Sequence, residues 1–345
     1  QNRRTTGAQN RSGFLPEYID INFNDDLVQI IAQDNYTSNM NSFFTQYRHR
    51  FNHVDAWAGL RYDESSKSDA NISTSLGINW EFADAWRFKT VFGTGYRAPY
   101  SQQVSESKIV VQPGTDNIQE DKTQTDRIKT MNAQLQWTPF SGCRLAATAF
   151  YSELSNYIKS DAYAGTSEPL EQKIYGFELE ANAKLTDHLD IFMNLTKTFY
   201  RGDDYHFKAY QWSYVDPDDG STLEYYDEWD QPYDEGADFL LNAGAVYRFS
   251  PRISWSINAS GRSSVPYFYM IKDEDNDEKN EISGYYAGYG IVNTTLTVKD
   301  LWIKQTQFQA GIKNMFDANY EIPGYFGTVR GEPLTFFVEC AYYFK

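Results

Sequence analysis

Long segments in which polar and apolar residues alternate recur along most of this chain, and they restrict its possible folds more than any other feature. In residues 172–185, for example, Phe177 and Leu179 alternate with Glu178 and Glu180. A period of two residues places one set on each face of a β-strand. The segments reach 10–15 residues, beyond the ~5–6 of an ordinary globular strand, and this length suits a tilted crossing of about 25–30 Å of hydrocarbon.

The links between these segments alternate between short and long. Regular strands are predicted at 39–51, 53–64, 71–82, 85–97, 123–138, 143–155, 172–185, 188–201, 238–249, 252–266, 288–299, 303–315 and 333–344. Less regular strands are predicted at 17–24 and 27–34, and residues 1–13 are predicted to form a loop or a frayed end. The long links are 65–70, 98–122, 156–171, 202–237, 267–287 and 316–332. Short turns on one rim and long loops on the other are typical of outer-membrane barrels, whereas a soluble sandwich or propeller has no reason for this pattern.

Composition supports the barrel interpretation. Aromatic residues make up 17% of the 345 residues, yet the mean hydropathy is −0.63. No apolar run approaches the ~20 residues of a membrane-spanning helix. The sequence therefore predicts an all-β fold, an antiparallel transmembrane β-barrel in which every second strand residue faces lipid. The polar positions expected to face the lumen are Glu178, Glu180, Asn182, Ser256 and Asn258, and those expected to face lipid include Phe177, Leu179 and Ile257.

Five short motifs follow one another along residues 50–345. They are Gly59-Leu-Arg-Tyr-Asp63, Gly95-Tyr-Arg-Ala-Pro99, Asn117-Ile-Gln-Glu120, Gly176-Phe-Glu-Leu-Glu180, and Lys313-Asn-Met-Phe-Asp317 with Tyr320 and Pro323. In this order they resemble the C-terminal barrel part of the TonB-dependent outer-membrane receptors. We expect mostly structural roles for these residues, with Gly93, Gly95 and Gly176 marking strand bends and with Asn314 and Asp317 capping a strand end at the rim.

The resemblance implies more than the residues alone show. It implies that residues 1–345 are the barrel portion of a longer protein, about 14–15 strands of an expected 22-stranded barrel, with the first strands, a plug domain and a TonB box lying outside this chain. It implies TonB-dependent uptake of a scarce nutrient complex in the bacterial outer membrane, with an iron chelate such as a siderophore as the first candidate. Cobalamin uptake with calcium-ordered acidic loops, a passive porin and a barrel that binds a surface partner are the alternatives. The implied partners are the chelate, TonB through the plug, outer-membrane lipid and a surface lipoprotein.

The negative charge of the chain is concentrated in two long links. The net charge is −16; residues 202–237 contribute −10 and residues 272–281 contribute −4. Nucleic acid is disfavoured as a partner, because phosphate binding needs Lys and Arg. An acidic rim also repels strongly anionic ligands unless a cation accompanies them.

Aromatic residues accompany the acids in the larger link, and the arginines expected near the same rim are Arg97, Arg201, Arg262 and Arg330. Rigid aromatic side chains bind a ligand with little loss of entropy, although they can equally pack the loop onto itself. The candidate ligand-binding residues are Arg97, Trp212, Tyr214, Tyr225, Tyr226, Trp229, Tyr233 and Arg262.

Calcium is the metal that the acidic links could bind. The spacing of Asp273, Asp275 and Asp277 is that of an oxygen-only calcium loop, but Glu278 and Gly284 stand where an EF-hand has glycine and glutamate. A calcium site of another kind and a solvated acidic face are both open at this point. The candidate metal ligands are Asp216, Asp218, Asp219, Asp273, Asp275 and Asp277.

The sequence offers no pattern that favours an enzyme. The histidines, His49, His53, His188 and His206, have no nucleophile or carboxylate at a catalytic spacing. Glu178 and Glu180 share a strand face, but charged residues are normal on the lumen side of a barrel. We therefore expect a transporter or a binding protein.

Overall fold

The computed structural model describes residues 2–8, 18–23, 26–31, 35–66, 68–97, 125–157, 160–161, 165–166, 170–215, 222–231, 236–272, 279–324 and 327–344. This part of the chain forms one 14-stranded antiparallel sheet and five two-stranded ribbons. Within the same ranges, no helix is long and apolar enough to cross a membrane.

In chain order the strands are β1 (Asn2–Ala8), β2 (Tyr18–Phe23), β3 (Asp26–Ile31), β4 (Asn35–Phe51), β5 (Val54–Ser65), β6 (Asn71–Ala83), β7 (Trp86–Arg97), β8 (Asp126–Trp137), β9 (Cys143–Tyr157), β10 (Ser160–Asp161), β11 (Gly165–Thr166), β12 (Leu170–Lys184), β13 (Leu189–Gly202), β14 (Tyr205–Val215), β15 (Thr222–Gln231), β16 (Phe239–Ser250), β17 (Ile253–Arg262), β18 (Val265–Lys272), β19 (Lys279–Tyr286), β20 (Tyr289–Lys299), β21 (Thr306–Lys313), β22 (Glu321–Gly324), β23 (Gly327–Arg330) and β24 (Thr335–Tyr342).

The main sheet is a meander in which each strand pairs with the next main-sheet strand along the chain, and the ribbons lie between some of these strands in sequence. Its order is β1-β4-β5-β6-β7-β8-β9-β12-β13-β16-β17-β20-β21-β24. Each regular strand predicted from the sequence corresponds to one of these strands, which confirms the antiparallel all-β fold. Short turns join the strands at one rim of the sheet, which we call the turn rim, and the long links leave from the opposite rim, which we call the loop rim.

The prediction of a loop or frayed end was wrong for residues 2–8, because Asn2–Ala8 forms β1; residue 1 and residues 9–13 lie outside the described residues. This strand pairs with the first residues of β4, from Asn2 opposite Asn41 to Ala8 opposite Asn35. β1 lies along the edge of β4 opposite to β5, and it satisfies backbone donors and acceptors on that edge that have no other partner among the described strands. Its polar sequence shows no alternation, so the local pattern did not indicate a strand.

Four of the six predicted long links contain two-stranded ribbons among the described residues. They contain the ribbons β10-β11, β14-β15, β18-β19 and β22-β23, and the less regular predicted strands near the N-terminus form the ribbon β2-β3. The predicted strand 252–266 was also too long, since β17 ends at Arg262 and β18 begins at Val265. Between them, Ser263 exchanges backbone and side-chain hydrogen bonds with Phe239, which ends the ladder of the main sheet there.

The main sheet has one polar and one apolar face. The register gives a polar row across seven strands: Arg50, Asp55, Asn79, Lys89, Gln134, Thr148 and Glu178. On the opposite face a neighbouring row reads Phe51, Val54, Trp80, Phe88, Leu135, Ala147, Leu179, Leu195 and Leu241. The polar face is concave, with a depression of about 390 Å³ that includes Lys89 and Glu178 in its lining.

The facing predicted from the sequence agrees with this register. Glu178, Glu180, Asn182, Ser256 and Asn258 share the polar face, and Phe177, Leu179 and Ile257 share the apolar face. Phe177 and Leu179 remain 44% and 40% exposed. A continuous exposed apolar face of this kind needs lipid or another apolar partner. In the described part, β1 and β24 each have one neighbour, so closure into a 22-stranded barrel stays a prediction.

Large aromatic rings on the polar face lie over glycines of the adjacent strand. The pairs are Trp57 with Gly77, Phe150 with Gly176, Phe192 with Gly244, and Phe337 with Gly311. A Cβ on Gly176 would lie 2.8 Å from the Phe150 ring and 2.0 Å from the carbonyl oxygen of Lys197. The ladder runs on both sides of Gly176 without a bulge there, so this glycine provides space and does not mark the predicted bend.

We expect Gly176→Ala to destabilise the sheet by about 1–3 kcal/mol, because the added methyl group overlaps backbone and ring atoms. The measurement is urea unfolding of the complete protein in detergent. Gly59→Ala is the matched control, since it lies on the same face and its Cβ would meet only ordinary contacts of 3.7–3.8 Å. Equal stability of the two variants would contradict this explanation of Gly176.

Candidate functional site: a two-faced hairpin at the loop rim

The ribbon β14-β15 is the largest of the described ribbons and holds most of the predicted ligand-binding residues. It rises from the loop rim between β13 and β16, starting at Tyr205, shortly after β13 ends at Gly202. We call it the rim hairpin. Its strands pair from Tyr205 opposite Gln231 to Val215 opposite Thr222.

The base of the rim hairpin is fixed to the polar face of the sheet. Tyr205 is only 4% exposed, and its hydroxyl oxygen accepts a hydrogen bond of 2.5 Å from Nε2 of Gln172. Gln172 is itself buried and shares the polar face of β12 with Glu178. At the return of the chain, Gly236 packs against the Tyr200 hydroxyl, and the Asp238 carbonyl accepts a 2.8 Å bond from the Thr198 amide.

The other face of the base points to solvent. His206 and Asp230 are cross-strand neighbours, and His206 Nδ1 lies 2.8 Å from Asp230 Oδ1. Their side chains are 38% and 70% exposed. Because successive residues of a strand face opposite sides, Tyr205 and His206 together define the orientation of the hairpin. The Tyr205 side faces the polar, concave side of the sheet at the loop rim, which we call the mouth. The His206 side faces away from it.

The register extends these two faces along both strands. A bulge between Tyr210 and Trp212 shifts the pairing by one residue, so Trp212 is opposite Tyr225. The positions that share the Tyr205 face, which we call the aromatic face, are Phe207, Trp229, Ala209, Asp227, Trp212, Tyr225, Tyr214 and Leu223. The positions that share the His206 face, which we call the acidic face, are Asp230, Lys208, Glu228, Tyr210, Tyr226, Ser213, Glu224, Val215 and Thr222.

The sequence itself matches a model of the family described as TonB dependent receptor-like, β-barrel, over residues 2–315. The chain belongs to the TonB-dependent receptor family. Its five motifs occur in the order that the sequence resemblance required, and its antiparallel sheet with long links at one rim is the architecture of the family.

Solved structures of receptors share this fold. The FrpB iron transporter from Neisseria meningitidis matches with a TM-score of 0.63 and 15% identity, over 89% of this chain and 45% of that chain. The ferric-catecholate import receptor Fiu from E. coli K12 matches with a TM-score of 0.60 and 15% identity, over 91% of this chain and 46% of that chain. The ferripyoverdine receptor of the outer membrane of Pseudomonas aeruginosa, bound to ferripyoverdine, matches with a TM-score of 0.64 and 11% identity, over 90% of this chain and 40% of that chain.

These likenesses show the fold alone, because the identities are low. The chain spans a little under half the length of the receptors it resembles. No curated protein sequence matches it.

The predicted site residues of the receptor fall into three groups. Trp212, Tyr214, Tyr225 and Trp229 occupy the aromatic face of the rim hairpin, whereas Tyr226 occupies the acidic face. Arg97 and Arg262 lie at the ends of β7 and β17, apart from the hairpin. Tyr233 and the predicted metal ligands, Asp216, Asp218, Asp219, Asp273, Asp275 and Asp277, lie outside the described residues.

The position of the aspartates in the chain is nevertheless informative. Asp216, Asp218 and Asp219 follow β14, which ends at Val215, and precede β15. In the same way, Asp273, Asp275 and Asp277 lie in the sequence between Lys272, where β18 ends, and Lys279, where β19 begins. Among the described residues, no group of three or more His, Cys, Asp or Glu side chains is arranged to hold a metal ion.

The two arginines predicted to bind ligand both make structural contacts. Arg97 donates from Nε to Asp126 Oδ2 at 2.6 Å, and Asp126 is nearly buried. The Arg262 guanidinium lies 5.0 Å from the centre of the Tyr289 ring and donates to the carbonyl of Glu321 at 3.3 Å. The side chain of Arg97 remains 55% exposed, so it can still contact a ligand beside its carboxylate partner.

The motif around Asn314 and Asp317 caps a strand end at the loop rim, as predicted. Asn314 is 1% exposed; its Nδ2 donates to the carbonyls of Ala318 and Glu332, and its Oδ1 accepts from the Ala318 amide. Asp317 Oδ1 accepts from the Leu334 amide at 3.0 Å. Both residues have positive φ values, 45° and 51°, which Asn and Asp tolerate better than most residues. The motif therefore fixes the link between β21 and β24.

The carboxylates on the polar face have structural partners too. Glu180 accepts a 2.6 Å hydrogen bond from Arg144 on the adjacent strand. Glu178 faces the depression that Lys89 also lines, among amide and hydroxyl side chains. This arrangement is that of a polar wall.

Proposed function

We propose that this chain forms the C-terminal part of the barrel of an outer-membrane transporter that takes up a scarce nutrient complex. An iron chelate is the first candidate for this complex. In the proposed mechanism the ligand binds at the loop rim, and TonB drives its passage through a plug domain elsewhere in the full protein. Membership of the receptor family supports this proposal. The structural neighbours add support, since they include an iron transporter and receptors for ferric catecholate and ferripyoverdine.

The orientation of the rim hairpin carries the proposal that ligand binds there. The contact between Tyr205 and Gln172 turns the aromatic face toward the concave mouth of the sheet. Aromatic side chains stack on planar groups and lose little conformational entropy when they do so. Trp212, Tyr214, Tyr225 and Trp229 hold positions on this face and form the proposed ligand platform.

The charge of the rim selects the class of chelate. Residues 202–237 and 272–281 contribute −14 of the net −16. An anionic chelate is repelled by such a rim, whereas a neutral or cationic one is not. We therefore propose a neutral or cationic chelate with planar or aromatic groups as the ligand.

Uptake by cells that express the complete receptor tests the transport proposal. Accumulation of radiolabelled iron chelate is expected to require the proton-motive force and TonB, so a protonophore will abolish it. A passive porin would continue to admit the ligand after the protonophore is added, and that result would exclude active transport. A protein that only binds a surface partner would give no accumulation under either condition.

Calcium is the proposed structural ion of the acidic links. Each aspartate triplet lies in the sequence link between the two strands of a ribbon, and like charges so close together in the sequence repel one another. Oxygen ligands from Asp216, Asp218, Asp219, Asp273, Asp275 and Asp277 suit Ca²⁺. Cobalamin, the alternative that the resemblance associates with calcium-ordered acidic loops, is the competing ligand.

We expect the affinity for iron chelate to fall by roughly tenfold when calcium is removed with a strong chelator, because the repelling loops then separate. Calorimetric titration in excess EGTA and in calcium measures the difference. Replacement of the six aspartates with asparagine is expected to remove the dependence on calcium. Equal affinity with and without calcium would show that the acidic links form only a solvated rim. Titration with cobalamin in parallel distinguishes the two ligands.

A further inference from the structure

A row of charged side chains crosses four adjacent strands on the apolar face of the sheet. Lys129 on β8 is opposite Glu153 on β9, Glu153 is opposite Lys173 on β12, and Lys173 is opposite Arg201 on β13. We call these four residues the charged row. Residues opposite each other on adjacent strands lie about 5 Å apart, so the charged row is a continuous strip.

An exposed apolar row lies immediately on the turn-rim side of the charged row. It consists of Met131, Tyr151, Tyr175 and Phe199, each two residues along its strand from a member of the charged row and therefore on the same face. The Tyr175 and Phe199 rings stack with centres 5.4 Å apart. Aromatic rows of this kind mark the boundary between hydrocarbon and headgroups in membrane barrels. The charged row thus stands at headgroup level on the loop-rim side.

Internal contacts neutralise only part of the charged row. Lys129 Nζ lies 2.7 Å from Glu153 Oε1, and the Tyr151 hydroxyl donates to Glu153 Oε2 at 3.0 Å. Both oxygens of Glu153 are therefore occupied. Lys173 and Arg201 make no hydrogen bond or ion pair within the described ranges.

The neighbourhood of the charged row has an excess of cations. Arg127 lies two residues from Lys129 along β8, toward the loop rim. Glu171 lies two residues from Lys173 along β12, in the same direction. Of these six described residues, four are cations and two are carboxylates. The sign is the reverse of that of the whole chain, whose net charge is −16.

We propose that Lys173 and Arg201 bind the phosphorylated headgroup of a lipid in the leaflet at the loop rim, with Lys129 and Arg127 beside them. Phosphate is the anion that a membrane presents at this depth, and Lys and Arg are its usual protein partners. The acyl chains of the same lipid lie along the apolar face below, against Tyr175 and Phe199. This assignment is independent of the nutrient ligand, because the charged row is on the opposite face from the concave mouth.

The test uses the complete receptor in a non-ionic detergent, with phosphatidic acid as the probe and native mass spectrometry as the readout. We expect the double variant Lys173→Gln with Arg201→Gln to bind phosphatidic acid with a Kd raised by about tenfold. Arg252→Gln with Lys304→Gln, two exposed cations at the turn rim, is the matched control and is expected to keep the original Kd. Lys173→Arg is expected to retain binding.

Two further probes identify the source of the phosphate. Diacylglycerol has the same chains without phosphate and is expected to bind equally weakly to all variants. Glycerol phosphate has the headgroup without chains and is expected to bind far more weakly than the lipid. Equal affinity of the double variant and the unchanged receptor for phosphatidic acid would overturn the proposal, and so would glycerol phosphate binding as tightly as the lipid.

Discussion

Replacing Asn314 with leucine is expected to lower the free energy of unfolding by about 3–5 kcal/mol, because this change removes three side-chain hydrogen bonds at once. Asn314 is 1% exposed, and leucine in its place would leave the backbone groups of Ala318 and Glu332 without the hydrogen-bond partners that they now have. Its φ of 45° adds strain for leucine, at about 1 kcal/mol. Urea unfolding and heat-modifiable electrophoresis of the complete receptor measure the loss.

Asn52→Leu is the matched control for this variant. Asn52 has almost the same backbone conformation, with φ of 48°, but it is exposed in the turn between β4 and β5. It therefore reports the backbone strain without the lost side-chain hydrogen bonds, and we expect a cost of about 1 kcal/mol. If Asn314→Leu costs no more than Asn52→Leu, the hydrogen bonds of Asn314 contribute nothing to the stability of the rim.

Removing the aromatic face of the rim hairpin is expected to weaken binding of the iron chelate strongly. We expect Trp212→Ala and Tyr225→Ala each to raise the Kd by roughly tenfold or more, since a buried aromatic contact typically contributes at least ~1.4 kcal/mol to binding. Both positions lie on the face that Tyr205 turns toward the mouth. Calorimetric titration of the complete receptor measures the effect.

Tyr226→Ala is the control within the same hairpin. Tyr226 follows Tyr225 directly but belongs to the acidic face, opposite Tyr210. We expect its removal to change the Kd by less than about twofold. Equal losses for Tyr225→Ala and Tyr226→Ala would show that the two faces of the hairpin do not differ in ligand binding, even if transport itself is confirmed.

The strands of the main sheet could be read from the sequence because their signal is local. The alternation of Phe177 and Leu179 with Glu178 and Glu180 is visible within a few residues, and it reflects the difference between the two faces of the sheet. The capping role of Asn314 could also be predicted, since it depends on a short motif at a strand end. In contrast, two hydrogen-bond partners of Asn314, the Glu332 carbonyl and the Asn293 side chain, belong to residues that are distant in the sequence.

Other features could not be predicted because they depend on contacts between distant residues. β1 has no alternating pattern and exists through its pairing with β4. Gly176 is needed because Phe150 crosses it from the next strand, which no local pattern reveals. Arg262 was expected to bind ligand, and its contacts with Tyr289 and Glu321 became visible only in the folded rim.

For the candidate site, the sequence by itself determined which residues are available: an acidic link rich in aromatic residues at the loop rim of a barrel. Tertiary structure alone decided how they are arranged. The bulge beside Trp212 sets it opposite Tyr225, and the bond between Tyr205 and Gln172 sets which face meets the mouth. In the same way, pairing between β12 and β13 brings Lys173 beside Arg201. The reason is physical: alternation follows from each strand alone, whereas neighbours across strands follow from hydrogen-bond register, which distant segments set together.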